Sequence, residues 1–228
     1  DFILHITDSK ELSGLPQGTI DMAALTAQER NQEGWMFTLH APSYIPFMKY
    51  ADARHLREKM YKAYSSRGNH NNTYNNNDLI RRIVNLRLEK ARLLGYTTYA
   101  EYALADRMAR TPKTVHEFLN ELLTASHSLA LAEKNEVETF ARNMGFSGIL
   151  QRWDWAYYSN KLKQEKYALD DELLKPYFKL ENVQQGIFSL ANKLYGLTFT
   201  EVNHIPKYHE DVKTFEVYDT TGKFIALL

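Results

Sequence analysis

Cysteine is absent from the 228-residue sequence. Its absence excludes disulfide bonds, thiolate nucleophiles and zinc sites built on cysteine. It does not fix the compartment, because a secreted protein need not contain disulfides.

An excess of charge of either sign is also lacking, since 28 Lys and Arg residues balance 28 Asp and Glu residues. A neutral chain offers no electrostatic footprint for nucleic acid or an anionic membrane, so we expect neither as a partner. No apolar run reaches the ~18 residues that predict a transmembrane helix. The apolar fraction of 44% is ample for a core.

The motifs of several common enzyme classes are missing. There is no Gly-x-Ser-x-Gly elbow, P-loop or dinucleotide fingerprint. The best zinc-motif candidate begins at His116-Glu117, but a zincin helix needs a second His at i+4, where this sequence has Asn120. We therefore interpret His116 and Glu117 as a surface pair in the first turn of a helix.

The remaining histidines are scattered, and no two stand four residues apart on a predicted helix. His204 and His209 lie close together in sequence, beside Glu210 and Asp211. A metal site and a polar loop are both open interpretations, and the loop is favoured. We predict no metal ligand and no catalytic residue within these 228 positions.

The periodicity predicts a mainly α protein. Residues 1–42 form a mixed α/β entry segment, 43–200 are helical, and 201–228 form a β-hairpin. Short strands are expected at Phe2–Ile6 and Trp35–Leu39, and a solvated loop is expected at Asn69–Asn77. The predicted helices are Ile20–Gly34, Asp52–Ser66, Asp78–Leu94, Thr98–Met108, Pro112–Asn143, Asp154–Tyr167 and Asn182–Tyr195.

Start and stop signals support several of these helices. Thr98 and Glu101 form a capping-box pattern, and Thr111 precedes Pro112 as a hydroxyl N-cap before proline at N1. Asp78 and Asp154 are expected to cap their helices. At the other end, Thr214–Tyr218 and Lys223–Leu228 flank a turn and predict the hairpin. Its second strand is still apolar at Leu228, which favours a fragment of a longer protein.

The most distinctive local string is Trp153-Asp154-Trp155-Ala156-Tyr157-Tyr158. Its rings and hydroxyls could bind an extended substrate, or they could seat the helix against its neighbours. We favour the structural role.

A set of short strings is distinctive when taken in order. The strings are WMFTLHAPSYIPFM from Trp35, YAD from Tyr50, RLEKA from Arg87, LGY from Leu94, DRMA from Asp106, WDWAYY from Trp153, KYALD from Lys166, LKPYF from Leu174 and YHEDV from Tyr208. Together they resemble the thimet-oligopeptidase-like family of zinc peptidases, which includes oligopeptidase A and peptidyl-dipeptidase Dcp. The similarity covers essentially the whole chain and looks closest to the dipeptidyl carboxypeptidase branch.

The resemblance implies a helical half of a zincin-like peptidase channel, with 1–228 as a single fragment. It implies zinc in the full-length enzyme, held by a His-Glu-x-x-His helix after the hairpin, and none bound by this fragment. Metal-activated water would release C-terminal dipeptides from oligopeptides, in the cytoplasm or the periplasm. The partners are oligopeptide substrates and the remaining segments of the same polypeptide.

One stretch is a candidate substrate contact, because the hairpin would lie near the metal and its last strand could add to bound peptide. Its residues are Phe224, Ile225, Ala226, Leu227 and Leu228. Two alternatives remain: a non-catalytic helical peptide-binding module, and a structural helical protein that binds no peptide.

Overall fold

The computed structural model describes residues 2–228, which are mainly helical with two small antiparallel sheets. The chain divides into an N-terminal unit that ends at Ala168 and a C-terminal unit that begins at Leu169. The helices are α1 (Gln17–Gln28), α2 (Ala41–Tyr50), α3 (Arg54–Ser65), α4 (Asn77–Leu93), α5 (Tyr99–Leu104), α6 (Pro112–Asn143), α7 (Arg152–Tyr167) and α8 (Leu180–Tyr195). The strands are β1 (Ile3–Ile6), β2 (Trp35–Thr38), β3 (Thr198–Val202), β4 (Thr214–Tyr218) and β5 (Phe224–Leu227).

The two predicted N-terminal strands are confirmed, and they pair antiparallel with Ile3 opposite Thr38. Apolar residues of this sheet face α1 and α2, where Phe37 and Phe47 are fully buried and meet edge to face with ring centroids 4.8 Å apart. The main core of the N-terminal unit therefore lies between the sheet and α1, α2 and α3.

The first helix ends earlier than the sequence predicted. It stops at Gln28 rather than Gly34, because Asn31 adopts a left-handed φ of 54° and the amide of Gln32 bonds back to the carbonyl of Ala27. This geometry is a common helix terminator. Gly34 instead has a φ of 87° and lies against the backbone of Ile6, where a side chain would not fit.

Two of the predicted helix N-caps are confirmed. The Thr98–Glu101 capping box is present, and Thr111 caps α6 ahead of Pro112. The expected extension of α5 to Met108 is wrong, since the helix ends at Leu104. The expected cap at Asp78 is also wrong: α4 begins at Asn77, so Asp78 lies inside the first turn, where its charge still favours the helix dipole.

Asp154 is likewise not the N-cap of α7. Gln151 is the cap and Asp154 is the third helical residue, completing a capping box by accepting from the Gln151 amide at 2.9 Å. Because α7 begins at Arg152, the aspartate lies within the first turn, and its side chain is buried.

The C-terminal unit contains a three-stranded sheet in the order β3-β4-β5. The hairpin of β4 and β5 is confirmed, but the pairing of β3 along the whole of β4 was not predicted. Phe188 of α8 stacks on Phe199 of β3 at 4.2 Å and meets Phe215 of β4 at 5.0 Å, which fixes the helix on one face of the sheet. Before α8, two short 3-10 turns replace a regular helix around Pro176.

Among the described residues, none of the helices combines the length and the apolar character needed to cross a bilayer.

Candidate functional site

The five candidate substrate-contact residues lie together in and just after β5, at one edge of the C-terminal sheet. All five are exposed, and the exposed fractions of Phe224, Ile225 and Leu227 are 51%, 53% and 53%. Exposed apolar side chains on an edge strand leave both a hydrophobic surface and a row of backbone groups accessible.

The pairing of β5 with β4 determines which backbone N–H and C=O groups of β5 point outward from the sheet. Phe215 and Leu228 exchange two hydrogen bonds of 2.9 Å. Because hydrogen-bonded and non-bonded positions alternate along an antiparallel pair, the N–H and C=O of Leu227 point away from β4. Ile225 is the extra residue at a register shift opposite Val217 and Tyr218, which is the arrangement of a β-bulge.

The turn that leads into β5 is fixed by one carboxylate. Asp219 accepts hydrogen bonds from the Thr221 hydroxyl at 2.6 Å, the Thr221 amide at 2.8 Å and the Lys223 amide at 3.0 Å. These hydrogen bonds, the Thr221 hydroxyl first, lower the pKa of Asp219. The start of β5 is thus held by local chemistry as well as by pairing with β4.

A buried polar cluster of the N-terminal unit is centred on Asp154, which is fully buried. Arg54 donates two hydrogen bonds to it, at 3.0 and 2.8 Å, and Arg57 donates a third at 3.2 Å. Arg57 is only 1% exposed and also donates to the carbonyls of Ala51 and Trp153, at 2.6 and 3.1 Å. Burial lowers the pKa of Arg57, and its bonds to Asp154 oppose that effect.

A second carboxylate links the same helices near the surface. Asp52 accepts from the hydroxyls of Ser13 and Tyr157, both at 2.7 Å, and Lys161 lies 3.6 Å away. Partial burial acts to raise the pKa of Asp52, but these hydrogen bonds and the lysine charge outweigh it, so the pKa is lowered. Burial and the bond to Asp52 raise the pKa of Tyr157.

These clusters account for the aromatic string at the start of α7. Tyr157 and Tyr158 are buried, and the Arg57 guanidinium lies 4.1 Å from the Tyr157 ring centre. Tyr158 packs against Phe146 at 5.6 Å. The favoured structural role of the string is therefore confirmed: its side chains join α7 to α2, α3 and the segment before α7. Arg54 and Arg57 were not predicted, because their partner lies about 100 positions away.

The histidines that attracted attention in the sequence do not converge. His116 is exposed near the start of α6, where Glu117 lies 3.7 Å from Lys113 instead. His204 lies 3.5 Å from Glu216, and His209 lies 3.6 Å from Asp211. Across residues 2–228, no three His, Cys, Asp or Glu side chains are arranged so that they could hold a metal ion. The described residues therefore do not fit a zinc site.

Comparison with known proteins assigns this architecture to a class. The sequence model of peptidase family M3 matches residues 47–228. Oligopeptidase A of Salmonella typhimurium is 38% identical over 222 residues, which cover 96% of this chain and 33% of the relative. Dipeptidyl carboxypeptidase of Escherichia coli is 35% identical over 228 residues, covering 98% of this chain and 33% of the relative.

A plant protein extends the same similarity. Organellar oligopeptidase A of Arabidopsis thaliana is 38% identical over 231 residues, covering 97% of this chain and 29% of the relative. The chain belongs to peptidase family M3, as the ordered strings indicated. It spans about a third of the length of the relatives that it matches.

Proposed function

We propose that this chain is one segment of a zinc-dependent M3 peptidase that hydrolyses oligopeptides and releases dipeptides from their C-termini. The observation that carries the proposal is the family match over residues 47–228, together with relatives named oligopeptidase A and dipeptidyl carboxypeptidase. Hydrolysis of oligopeptides is the broader part of this proposal, and release of C-terminal dipeptides is the more specific part. The relatives named oligopeptidase A and dipeptidyl carboxypeptidase both align with nearly the whole chain at similar identity.

The part assigned to this segment is substrate contact rather than chemistry. A bound zinc ion would supply an activated water to the whole enzyme, but residues 2–228 bring no ligand set together. The zinc-binding residues would therefore belong to other parts of the whole protein, and the 228-residue chain by itself would be inactive. This segment would contribute wall to a channel that admits extended peptides.

Strand β5 is the proposed contact with the peptide backbone. A peptide adding to this edge would use the outward N–H and C=O of Leu227, while exposed Phe224 and Leu228 would contact its side chains. The bonded turn at Asp219 reduces the freedom lost when the edge is occupied, which favours binding.

Activity is tested with the purified chain, a quenched oligopeptide that fluoresces when its C-terminal dipeptide is released, and added zinc. We expect no turnover, while dipeptidyl carboxypeptidase of Escherichia coli serves as the active control. Turnover by the 228-residue chain that a chelator abolishes would overturn the assignment of the chemistry to other segments.

Substrate contact is tested on the same preparation, labelled for amide NMR and titrated with an uncleaved oligopeptide. The outward Leu227 amide should shift more than the inward amides of Ala226 and Leu228. Shifts confined to residues outside β5, or equal shifts along both sides of the strand, would refute its role as the contact edge.

A further inference from the structure

The N-terminal unit contains an open cavity of about 730 Å³ that is distant in sequence from β5. It is bounded by the ends of β1, β2 and α3, by the segment after α1, and by the Asn-rich stretch that follows α3. Cavities of roughly 300–1,000 Å³ are of the size that holds small ligands.

Arginine and histidine side chains make up half of the polar lining of this cavity. Arg30, His40, Arg67 and His70 all contribute to it, and none of its lining residues within 2–228 is Asp or Glu. Arg30 has no ion pair or side-chain hydrogen bond to any described residue, in contrast to Arg54 and its carboxylate partner.

Arg67 is held in place without being neutralised. Its Nε donates to the Tyr64 carbonyl at 3.1 Å, and its guanidinium lies 3.9 Å from the centre of the Tyr64 ring. Tyr64 in turn stacks on Tyr44 at 4.1 Å. The terminal guanidinium nitrogens have no partner among the described residues, so a positioned planar donor pair is left for a ligand.

The Asn-rich stretch is the exposed loop that its composition predicted, and hydrogen bonds hold its backbone. The Asn75 amide donates to the His70 carbonyl at 2.8 Å, and the Asn77 amide donates to Asn69 at 2.8 Å. The Asn76 backbone N–H donates to the Gly68 carbonyl at 2.7 Å. These bonds fix the backbone while the side-chain amide of Asn76, which lines the cavity, has no partner among residues 2–228.

We propose that this cavity binds a small oxyanion, a phosphate or a carboxylate group, between Arg30 and Arg67 with the Asn76 amide as an additional donor. Guanidinium groups form charge-assisted and often bidentate hydrogen bonds to both kinds of group. The residues of this site belong to the N-terminal unit, and none of them is in β5.

The test titrates the 228-residue chain with two probes at low ionic strength: inorganic phosphate, followed by phosphorus NMR, and N-acetyl-dialanine, followed by amide NMR of the protein. Saturable binding of either probe with shifts at His70 and Asn76 is expected. Tighter binding of one probe identifies the source of the oxyanion. Failure of both probes to saturate at about 10 mM, a weak affinity for a charged site, would overturn the proposal.

Arg30→Gln and Arg67→Gln should each weaken binding about tenfold, which is the loss expected for one charge-assisted contact. Arg82→Gln on α4 is the matched control, because it removes an equal charge from an exposed helix outside the cavity. An equal loss in the control would mean that only net charge matters, and would refute a defined site.

Gly68→Ala provides a second test that leaves every charge in place. Gly68 has a φ of 71°, and a methyl group there would approach the Asn76 amide nitrogen to 2.7 Å. We expect this variant to retain its far-UV circular dichroism and to bind the preferred probe several-fold more weakly. Unchanged binding would remove Asn76 from the site.

Discussion

Replacing Asp154 with alanine should destabilise the N-terminal unit far more than the removal of an exposed charge. Asp154 is completely buried and accepts hydrogen bonds from Arg54, Arg57 and the backbone of Gln151. Its loss would leave the Arg57 guanidinium, itself 1% exposed, without a counter-charge. Breaking a buried pair in this way costs about 3–5 kcal/mol, mainly because the surviving ion cannot be hydrated.

Urea unfolding followed by tryptophan fluorescence measures this cost, since Trp35, Trp153 and Trp155 all lie in the N-terminal unit. Glu136→Ala is the control: it breaks an ion pair with Lys166 that is as short, at 2.6 Å, but exposed. Exposed pairs contribute little, so the control should leave the midpoint nearly unchanged.

A second variant tests whether the lost stability comes from the unpaired charge of Arg57. Combining Asp154→Leu with Arg57→Met removes the two buried ions and fills the space with apolar atoms, which can be neutral or stabilising. The third ion of the cluster, Arg54, remains, but its side chain is 40% exposed and water can hydrate it. The double variant should therefore be more stable than Asp154→Ala. If Asp154→Ala costs no more than Glu136→Ala, or if the double variant loses still more stability, the explanation is wrong.

Two further changes test the surface carboxylate and the end of α8. Because the pKa of Asp52 is lowered in the folded protein, its contribution is present above the ordinary Asp value and is lost as pH falls below about 4. The difference in urea stability between wild type and Asp52→Asn should thus shrink on acidification, and a pH-independent difference would contradict this. Gly196 has a φ of 69° and lies against Thr220, so Gly196→Ala should cost at least about 1 kcal/mol and lower the melting temperature by circular dichroism. Gly186→Ala, in an open mid-helix position, should instead raise the melting temperature. A higher melting temperature for Gly196→Ala than for Gly186→Ala would refute the interpretation of Gly196 as a required left-handed helix end.

The parts of the fold that sequence predicts well are those decided within a few residues. The capping box of Thr98 and Glu101, the Thr111 cap and the hairpin turn at Asp219 each depend on side chains that bond to backbone three or four positions away. These features can be predicted because the residues that bond in the folded protein are also close in sequence.

Two omissions have a different physical origin. The sequence contains a negative residue at Asp154 and two arginines in α3, but nothing local shows that they meet across about 100 positions. The residue expected as an N-cap is therefore a buried ion whose arginine partners come from a distant segment. Strand β3 was missed for a related reason: its exposed, alternating residues acquire strand geometry from pairing with β4, and not from an apolar run.

The proposed sites show the same contrast. Strand β5 could be located from its apolar sequence and turn, whereas the cavity at Arg30 and Arg67 could not, because a long segment of chain separates the two arginines. The Asn-rich stretch was interpreted from composition as solvated connection. Its asparagines bond to one another and to backbone, so amide side chains supplied the structure that hydrophobic burial usually supplies.

The composition of β5 itself bears on the proposed substrate contact. Edge strands are usually protected by charged residues, by proline or by a bulge that interrupts the flat edge. From Phe224 to Leu228 there is no charge and no proline, and the one protective device is the bulge at Ile225. A strand that accepts a peptide must keep outward donors such as the Leu227 N–H. A bulge placed at Ile225 interrupts uncontrolled pairing over the length of the strand while leaving the Leu227 position available. The edge therefore has the properties expected if pairing is to be short and specific.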